Sequence, residues 1–161
     1  MSHIKQYVTE NCTLYIPKNP EKYIGKEKKI ICRSSWESHM CLWFDHTPAV
    51  LQWCSECIAI PYQDPMEPTR KSKPNIRRYY PDFFAVIENK DKTVERVIIE
   101  IKPEKETRPP RRDKRKNPKS ALYEAKMWSL NQAKWAAAQR FCAANNLAFK
   151  IITEKQFFGR K

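Results

Sequence analysis

Two β-rich runs separated by a short polar segment constrain the fold of this chain most strongly. The first run covers residues 80–87, the second is Val97-Ile98-Ile99-Glu100-Ile101-Lys102, and six polar residues, 88–93, lie between them. Such a pattern predicts an antiparallel hairpin. If the loop holds an odd number of residues, three or five, positions whose numbers sum to 182 pair directly, and Asp82 lies opposite Glu100. A loop of even length would put these two acids on opposite faces.

The polar face of this hairpin carries two acids and a lysine. Side chains alternate faces along a strand, so Lys102 shares the face of Glu100, while the other face of that strand is wholly apolar. Carboxylates of Asp82 and Glu100 about 4 Å apart would repel by roughly 4 kcal/mol at an effective dielectric of about 20. A proton, Lys102 or a hard cation such as Mg²⁺ must offset that repulsion. The sequence therefore leaves two interpretations open, a metal site and an ordinary cross-strand salt bridge.

Composition indicates one domain with a polyanionic partner. The chain has 161 residues, of which nineteen are aromatic, and its net charge is +13. A field of that sign favours nucleic acid, with an anionic membrane as the weaker alternative. We find neither a signal peptide pattern nor a transmembrane run. Six cysteines without a secretory signal predict reduced thiols, and Cys54-x-x-Cys57 lacks the second ligand pair that a zinc site needs.

Helix and strand signals flank the hairpin. A helix is predicted from Ser34 to His46, because Ser34 is a good N-cap and Glu37 three residues later completes a capping box. Apolar residues at helical spacing give this helix one buried face. A single strand is predicted to follow from Val50 to Tyr62, and Pro61 and Pro65 are expected to end it.

The C-terminal half of the chain supplies the remaining elements. The composition of residues 103–119, with eight Lys/Arg, three acids and several prolines, predicts a long basic loop. Helical character resumes at about Ser120 and is clearest over 131–145, and a last strand covers 148–153. The predicted fold is α/β: a single domain with a mixed four-stranded core sheet in α-β-β-β-α-β order and flanking helices. Residues 1–33 are predicted to form a basic N-terminal arm, and 34–161 the domain itself.

Several collinear segments carry a resemblance to a known family. They are Arg33-Ser34-Ser35-Trp36-Glu37, Trp53-x-Ser55-Glu56-x-x-x-Ile60-Pro61-Tyr62, Ile99-Glu100-Ile101-Lys102-Pro103 with Glu106-Thr107-x-Pro109-Pro110, and Lys134-Trp135-x-Ala137-Ala138. Together with the acids at 82 and 100, they resemble the PD-(D/E)xK nuclease superfamily, and within it the head-completion nucleases of T-even-type tailed phages. A more distant resemblance is to transposon-end endonucleases. The likeness covers about residues 17–158, and the chain departs from it around 111–119.

The resemblance implies a restriction-endonuclease-like fold and a metal-dependent DNA nuclease with endo- and exonuclease action. Such an enzyme processes packaged DNA during head completion, so that a filled head can join a tail. The implied cofactor is Mg²⁺, with Mn²⁺ as a substitute. The implied partners are double-stranded DNA and phage head or portal-neck proteins, without a membrane, in the host cytoplasm during assembly or with the virion. The alternative is a non-catalytic basic protein that binds DNA ends at the portal-neck region.

Individual roles follow from the residues together with this resemblance. Asp82 and Glu100, with the backbone carbonyl of Ile101, are the predicted metal ligands. Lys102 is predicted to position the attacking water or neutralise charge on the phosphate. Glu37 has two interpretations, a helix-borne acid that completes the metal site and a capping residue of its own helix.

The predicted nucleic-acid contacts lie on the last long helix and in two basic loops. Lys134 would face the scissile phosphate, and the alternative is a solvated helix lysine. The loops would hold phosphates without reading sequence, and the alternative is plain solvated loops. The predicted contacts in the loops are Arg70, Lys71, Lys73, Arg77, Arg78, Arg108, Arg111, Arg112, Lys114, Arg115 and Lys116.

Overall fold

The computed structural model describes residues 12–66, 74–111 and 115–158 of the chain. Within these ranges there are eight strands, three α-helices and a short 3-10 helix. The strands are β1 Thr13–Tyr15, β2 Ile30–Cys32, β3 Val50–Ser55, β4 Ile60–Gln63, β5 Ile76–Tyr79, β6 Phe83–Glu88, β7 Val94–Ile101 and β8 Ala148–Ile152. The α-helices are α1 Ser35–His46, α2 Pro118–Ala144 and α3 Glu154–Phe158, and the 3-10 helix is Glu104–Thr107.

A four-stranded mixed sheet in the order β3-β6-β7-β8 forms the centre of the fold. Strand β6 is antiparallel to both β3 and β7, whereas β8 is parallel to β7 and is connected to it through α2. On one face Val97 and Ile99 pack in a cluster with Phe44 of α1, and on the other face Ile98 packs with Ala138 of α2. The predicted mixed four-stranded core with flanking helices is confirmed.

The β6–β7 hairpin has the register predicted for an odd loop. Phe83 pairs with Ile99, and Glu88 pairs with Val94, so the loop between the strands consists of residues 89–93. The residue numbers of both pairs sum to 182, which is the register predicted for a loop of five residues. The loop is closed locally by the Asn89 N–H, which donates to the Thr93 carbonyl at 2.8 Å.

The single strand predicted from Val50 to Tyr62 is wrong, because the chain forms two strands there. β3 ends at Ser55, and Glu56 adopts a left-handed backbone with φ of 46°. β4 then leaves the central sheet and pairs with β5 in a separate two-stranded sheet, with Ile60 opposite Tyr79. A left-handed residue turns the chain sharply, and this turn is invisible in a run of strand-forming residues.

The same turn overturns the prediction of reduced thiols at Cys54 and Cys57. These two residues form a disulfide, with Cα atoms 6.0 Å apart. Residues three apart point to opposite faces only while a strand continues, and here the strand stops between them. Among the described residues, Cys12, Cys32, Cys41 and Cys142 form no disulfide and remain reduced, as predicted.

Helix α2 is longer than predicted and shortens the predicted loop at 103–119. It begins at Pro118 and runs without a break to Ala144. Asn117 caps it by accepting the Lys119 N–H at 2.9 Å, and Pro118 occupies the first turn, where it is tolerated. Within the rest of the predicted loop, the 3-10 helix orders residues 104–107. Helical character was predicted from about Ser120, and the structure joins that stretch and the clearer helix predicted over 131–145 into one helix.

The N-terminal segment packs against α1 through a buried acid. Asp45 at the end of α1 accepts hydrogen bonds from the Tyr15 hydroxyl at 2.7 Å and from the N–H groups of Lys18 and Asn19 at 2.6 and 3.0 Å. Ile30 of β2 lies in the core cluster around Phe44. A boundary between an arm and a domain at residue 33 remains a prediction. None of the helices in the described ranges contains an apolar stretch long enough to cross a lipid bilayer.

Candidate active site

Asp82 and Glu100 meet where the β6–β7 hairpin opens. Asp82 directly precedes β6, and Glu100 follows Ile99 in β7. Because Phe83 pairs with Ile99, the same register places Asp82 opposite Glu100. Asp82 Oδ2 accepts a hydrogen bond of 2.7 Å from the Ile101 N–H. The backbone of the strand that carries Glu100 therefore fixes the Asp82 carboxylate beside it.

Glu100 is held from two sides in the protein interior. Only 5% of the residue is exposed. The Tyr79 hydroxyl donates to Glu100 Oε2 at 2.6 Å, and Lys102 Nζ forms an ion pair with Oε1 at 3.0 Å. The predicted shared face of Glu100 and Lys102 is thus present as a direct contact, and both carboxylate oxygens have a donor.

Burial and like charge perturb the Asp82 carboxyl. Burial raises its pKa to about 7, and the neighbouring Glu100 charge acts in the same direction. The Ile101 N–H and the Lys102 ammonium oppose this shift, while Glu37 adds to it. Without a cation, Asp82 is therefore partly protonated at neutral pH. Perturbed acids of this kind concentrate at functional sites.

Lys102 keeps its charge in this environment. Burial by itself lowers the pKa of Lys102, but the charge of Glu100, its hydrogen bond and the charge of Asp82 outweigh burial, so the pKa is raised. An ammonium with a raised pKa is a poor proton acceptor at neutral pH. The arrangement favours charge stabilisation by Lys102 over general-base action.

Glu37 forms the capping box of α1 in this structure. Ser34 Oγ accepts the Glu37 N–H at 3.1 Å, and Glu37 Oε1 accepts from the Ser34 hydroxyl at 2.9 Å. Glu37 Oε2 accepts the Arg33 N–H at 2.9 Å. Both oxygens therefore face the terminus of their own helix, although the charge still acts on the pKa of Asp82. A direct role of Glu37 at a metal stays a prediction.

Lys134 approaches the same acids from α2. Its Nζ lies 5.6 Å from the ring centroid of Tyr79 and 5.8 Å from that of Tyr62, within cation–π distance. Burial lowers the pKa of Lys134, and the charge of Glu100 opposes that shift. The ammonium is thus held by two aromatic rings at the edge of the acidic site.

Tyr79 was missed by the sequence prediction. It is buried, and burial together with the Glu100 charge raises its pKa, so it remains a hydrogen-bond donor. Its position directly before Tyr80-Pro81-Asp82 was a signal that an aromatic hydroxyl lies near the site. Which of the two tyrosines faces inward depends on the pairing of β5 with β4, which the sequence does not reveal.

The donor set at this site fits a hard divalent cation. The half-buried Asp82 carboxylate lies beside the buried Glu100 carboxylate, and in the described ranges no donor reaches Asp82 Oδ1. No group of three or more His, Cys, Asp or Glu side chains among the described residues is arranged to hold a metal. Asp82 and Glu100 with a backbone carbonyl would leave coordination positions for water, as Mg²⁺ prefers.

The predicted DNA-contacting residues have different surroundings. Several are engaged in ion pairs: Arg77 with Asp64 at 3.0 Å, Lys116 with Glu124 at 2.6 Å, and Arg108 with Glu104. Arg78, Arg111 and Arg115 are exposed. Outside the described residues lie Arg70, Lys71, Lys73, Arg112 and Lys114.

Comparison with known proteins places this site in a family. Residues 47–154 match the family model described as "TnsA-like endonuclease N terminal". The chain belongs to this endonuclease family. The match contains Asp82, Glu100, Lys102 and Lys134, whereas Glu37 precedes it. The predicted likeness to transposon-end endonucleases and the restriction-endonuclease-like α/β fold are confirmed.

The TnsA-like chain is also similar to a phage protein. It is 37% identical over 143 residues to the head completion nuclease of Enterobacteria phage T4, an alignment that covers 87% of this chain and 89% of that protein. The predicted resemblance to T-even-type head-completion nucleases is therefore confirmed. No solved structure matches the chain significantly.

Proposed function

We propose that this protein is a Mg²⁺-dependent DNA nuclease that processes packaged DNA during phage head completion. The observation that carries the proposal is the opposition of Asp82 and Glu100 in one hairpin register, with Lys102 paired to Glu100 at 3.0 Å. Membership of an endonuclease family supports DNA cleavage, and the name of the T4 relative supports the stage of assembly. The proposed metal ligands are Asp82, Glu100 and the Ile101 carbonyl.

Each side chain has a defined task in this proposal. Asp82 and Glu100 would hold Mg²⁺, which would activate a water and stabilise charge on the phosphate. Asp82 and Glu100 orient the site, and Tyr79 fixes the Glu100 carboxylate through its 2.6 Å hydrogen bond. The Lys102 ammonium offsets negative charge as it develops on the pentavalent phosphorus, and Lys134 holds a neighbouring phosphate.

The proposed substrate is double-stranded DNA bound through its phosphates. A net charge of +13 supports strong and salt-sensitive binding without sequence readout. We propose both endo- and exonuclease action, Mn²⁺ as a substitute cation, and docking to head or portal-neck proteins. The proposed place of action is the host cytoplasm during assembly, with or without retention in the virion.

Cleavage of plasmid DNA in Mg²⁺ tests the proposal. Wild type is compared with Asp82→Asn and Lys102→Ala, and with Glu95→Gln as the matched control, a carboxylate near the far end of β7 that pairs with Lys150 at 2.7 Å. We expect the cleavage rate to fall by about 100-fold or more in the first two variants and to stay at the wild-type level in the control. Cleavage that persists in both site variants would refute the assignment of Asp82 and Lys102 to the active site.

The alternative is a basic protein that binds DNA ends at the portal-neck region without cutting them. The charge of the chain favours DNA binding whether or not the site is active. Wild-type protein that binds DNA tightly but leaves it intact in both Mg²⁺ and Mn²⁺ would support this alternative instead.

A further inference from the structure

An open groove leads away from the acidic site along α2. It has a volume of about 1030 Å³ and lies between residues 104–111 and the first half of the helix. At its inner end is the buried Asn131, one helical turn before Lys134. Glu104, two residues after Lys102 in the chain, and Glu106, whose charge acts on Lys102, also line the groove, so the groove begins close to the acidic site.

We propose that this groove binds a single strand of DNA, with an unpaired base stacked on Tyr123. The inference deepens the proposed nuclease function, since it names the form of DNA that extends from the cleavage site. A strand that enters the groove from the Asn131 end would pass Tyr123 on α2 as it leaves the site.

The charge of the groove fits a phosphate backbone. Five Lys/Arg and four Glu line it. Two of the acids are already neutralised within the protein: Glu104 by Arg108 and Lys155, and Glu124 by Lys116. Lys105, Arg111 and Lys119 line the groove from the 3-10 helix, the segment after it and the first turn of α2, and no carboxylate pairs with them among the described residues. These three cations are available to phosphates.

Tyr123 supplies the second requirement of single-strand binding. Although it lines the groove, 65% of its surface is exposed, so it adds little to the protein core. An aromatic face beside cations is the common platform for a nucleobase. In a duplex the faces of the bases are covered by their neighbours in the stack, so only an unpaired base offers a face to such a ring. This is why we infer a single strand rather than a duplex or an acidic peptide.

Binding measured without metal and without cleavage tests the inference. The probe is a fluorescein-labelled oligothymidylate of about ten nucleotides, in the range of known single-strand sites, titrated in EDTA and compared with a blunt duplex. Tyr123→Ala is expected to weaken oligothymidylate binding by about 5- to 100-fold, the range for loss of one base stack. Tyr123→Phe, which keeps the ring, and blunt-duplex binding are expected to change by less than about 2-fold.

Leu122→Ala provides the matched control. Leu122 is the neighbour of Tyr123, is 58% exposed and does not line the groove, so its loss is expected to change neither affinity. A 2-aminopurine placed in the oligonucleotide reports stacking directly, and its quenching is expected to disappear in Tyr123→Ala and persist in Leu122→Ala. Both replaced side chains are mostly exposed, and a thermal melt checks that each variant is folded.

Three results would overturn the inference. One is unchanged oligothymidylate affinity in Tyr123→Ala, and another is an equal loss for single strand and duplex. The third is displacement of the oligonucleotide by polyglutamate with no contribution from Tyr123, which would indicate an acidic peptide site. Protein that fails to cut DNA but binds the oligonucleotide through Tyr123 would refute the proposed function and leave this inference standing. Protein that cuts DNA but binds the oligonucleotide without any contribution from Tyr123 would refute this inference and leave the proposed function standing.

Discussion

The Tyr79 hydroxyl donates a 2.6 Å hydrogen bond to Glu100 Oε2, although the two residues belong to different sheets. Tyr79 ends β5, which pairs with β4, whereas Glu100 lies in β7 of the central sheet. The small sheet therefore braces an acid of the large one. A fixed carboxylate loses less conformational freedom when it binds a ligand, and we therefore expect Tyr79 to act as a positioning residue.

Removal of the Tyr79 hydroxyl tests this brace. In Tyr79→Phe the ring beneath Lys134 remains, but Glu100 Oε2 loses its donor. We expect cleavage to fall by about 10- to 100-fold and half-maximal activity to need more Mg²⁺, with DNA affinity unchanged. The measurement is the cleavage rate as a function of Mg²⁺ concentration. Tyr80→Phe, at a neighbouring side chain that is 46% exposed, is the control. An unaltered metal dependence in Tyr79→Phe would argue against the brace.

The raised pKa of Asp82 makes the metal-free protein less stable at higher pH. The pKa is about 7 in the folded protein, against about 3.9 in an unfolded chain, so folding favours the protonated acid. Stability from this group is complete below about pH 4 and is lost as the pH rises to about 7 and beyond. In EDTA at about pH 8 we expect Asp82→Asn to be more stable than wild type, by a few kcal/mol as an order of magnitude.

Urea unfolding across this pH range measures the effect. The difference between wild type and Asp82→Asn is expected to shrink towards pH 4, while Glu95→Gln follows the wild-type profile. A stability difference that does not depend on pH would show that Asp82 is ionised in the folded, metal-free protein.

Addition of Mg²⁺ is expected to reverse this instability in the wild type. A ligand that binds the folded state alone at about 100 times its Kd adds about 2.7 kcal/mol of stability. Because the cation needs the ionised Asp82, the increase in Tm is expected for wild type and not for Asp82→Asn. Thermal melts with Mg²⁺ and with EDTA give the answer, and an equal shift in both proteins would place the cation elsewhere.

Asp45 is expected to matter for stability and not for cleavage. Burial alone raises its pKa, but the hydrogen bonds from Tyr15, Lys18 and Asn19 outweigh burial and lower it. Asp45→Asn replaces an acceptor by a donor beside these groups, and we expect a loss of about 2–4 kcal/mol. Because the folded pKa is lowered, the contribution of Asp45 is present above about pH 4 and is lost as the pH falls below it.

Urea unfolding at neutral and acidic pH measures the contribution of Asp45, with the exposed Glu21→Gln as the control. The cleavage rate of Asp45→Asn at low temperature, where the variant is folded, is expected to match wild type. A variant that is as stable as wild type at pH 7 would contradict the role assigned to the buried carboxylate.

Exposed arginines near the site are expected to set the salt dependence of DNA binding. Arg78 on β5 precedes Tyr79 and is exposed. If it contacts one phosphate of a duplex, Arg78→Gln lowers the slope of log K against log salt by about 0.9. Lys90→Gln in the hairpin loop, at the opposite end of β6 and β7 from Asp82, is expected to leave the slope unchanged. Equal slopes for Arg78→Gln and wild type would remove Arg78 from the interface.

Features that depend on neighbours in the chain were predictable from the sequence alone. The alternation of apolar residues and the short polar loop predicted the hairpin and the two registers it could adopt, and the five-residue loop of the structure selects the register that sets Asp82 opposite Glu100. The capping box of Ser34 and Glu37 is equally local. Pattern and spacing were sufficient for the hairpin and for the capping box because strand alternation and helix capping act over a few residues.

The remaining features were decided by tertiary structure. The left-handed turn at Glu56, the departure of β4 from the central sheet and the hydrogen bond from Tyr79 join segments whose separation in sequence carries no periodic signal. The groove beside Tyr123 forms where the first half of α2 lies against residues 104–111, which the sequence does not reveal. The sequence by itself thus determined that the two acids lie on paired strands of one hairpin, because strand alternation and a short polar loop are local features. Only the packed chain determined what holds those acids and what lies beside them, because burial and hydrogen bonding depend on contacts between distant segments.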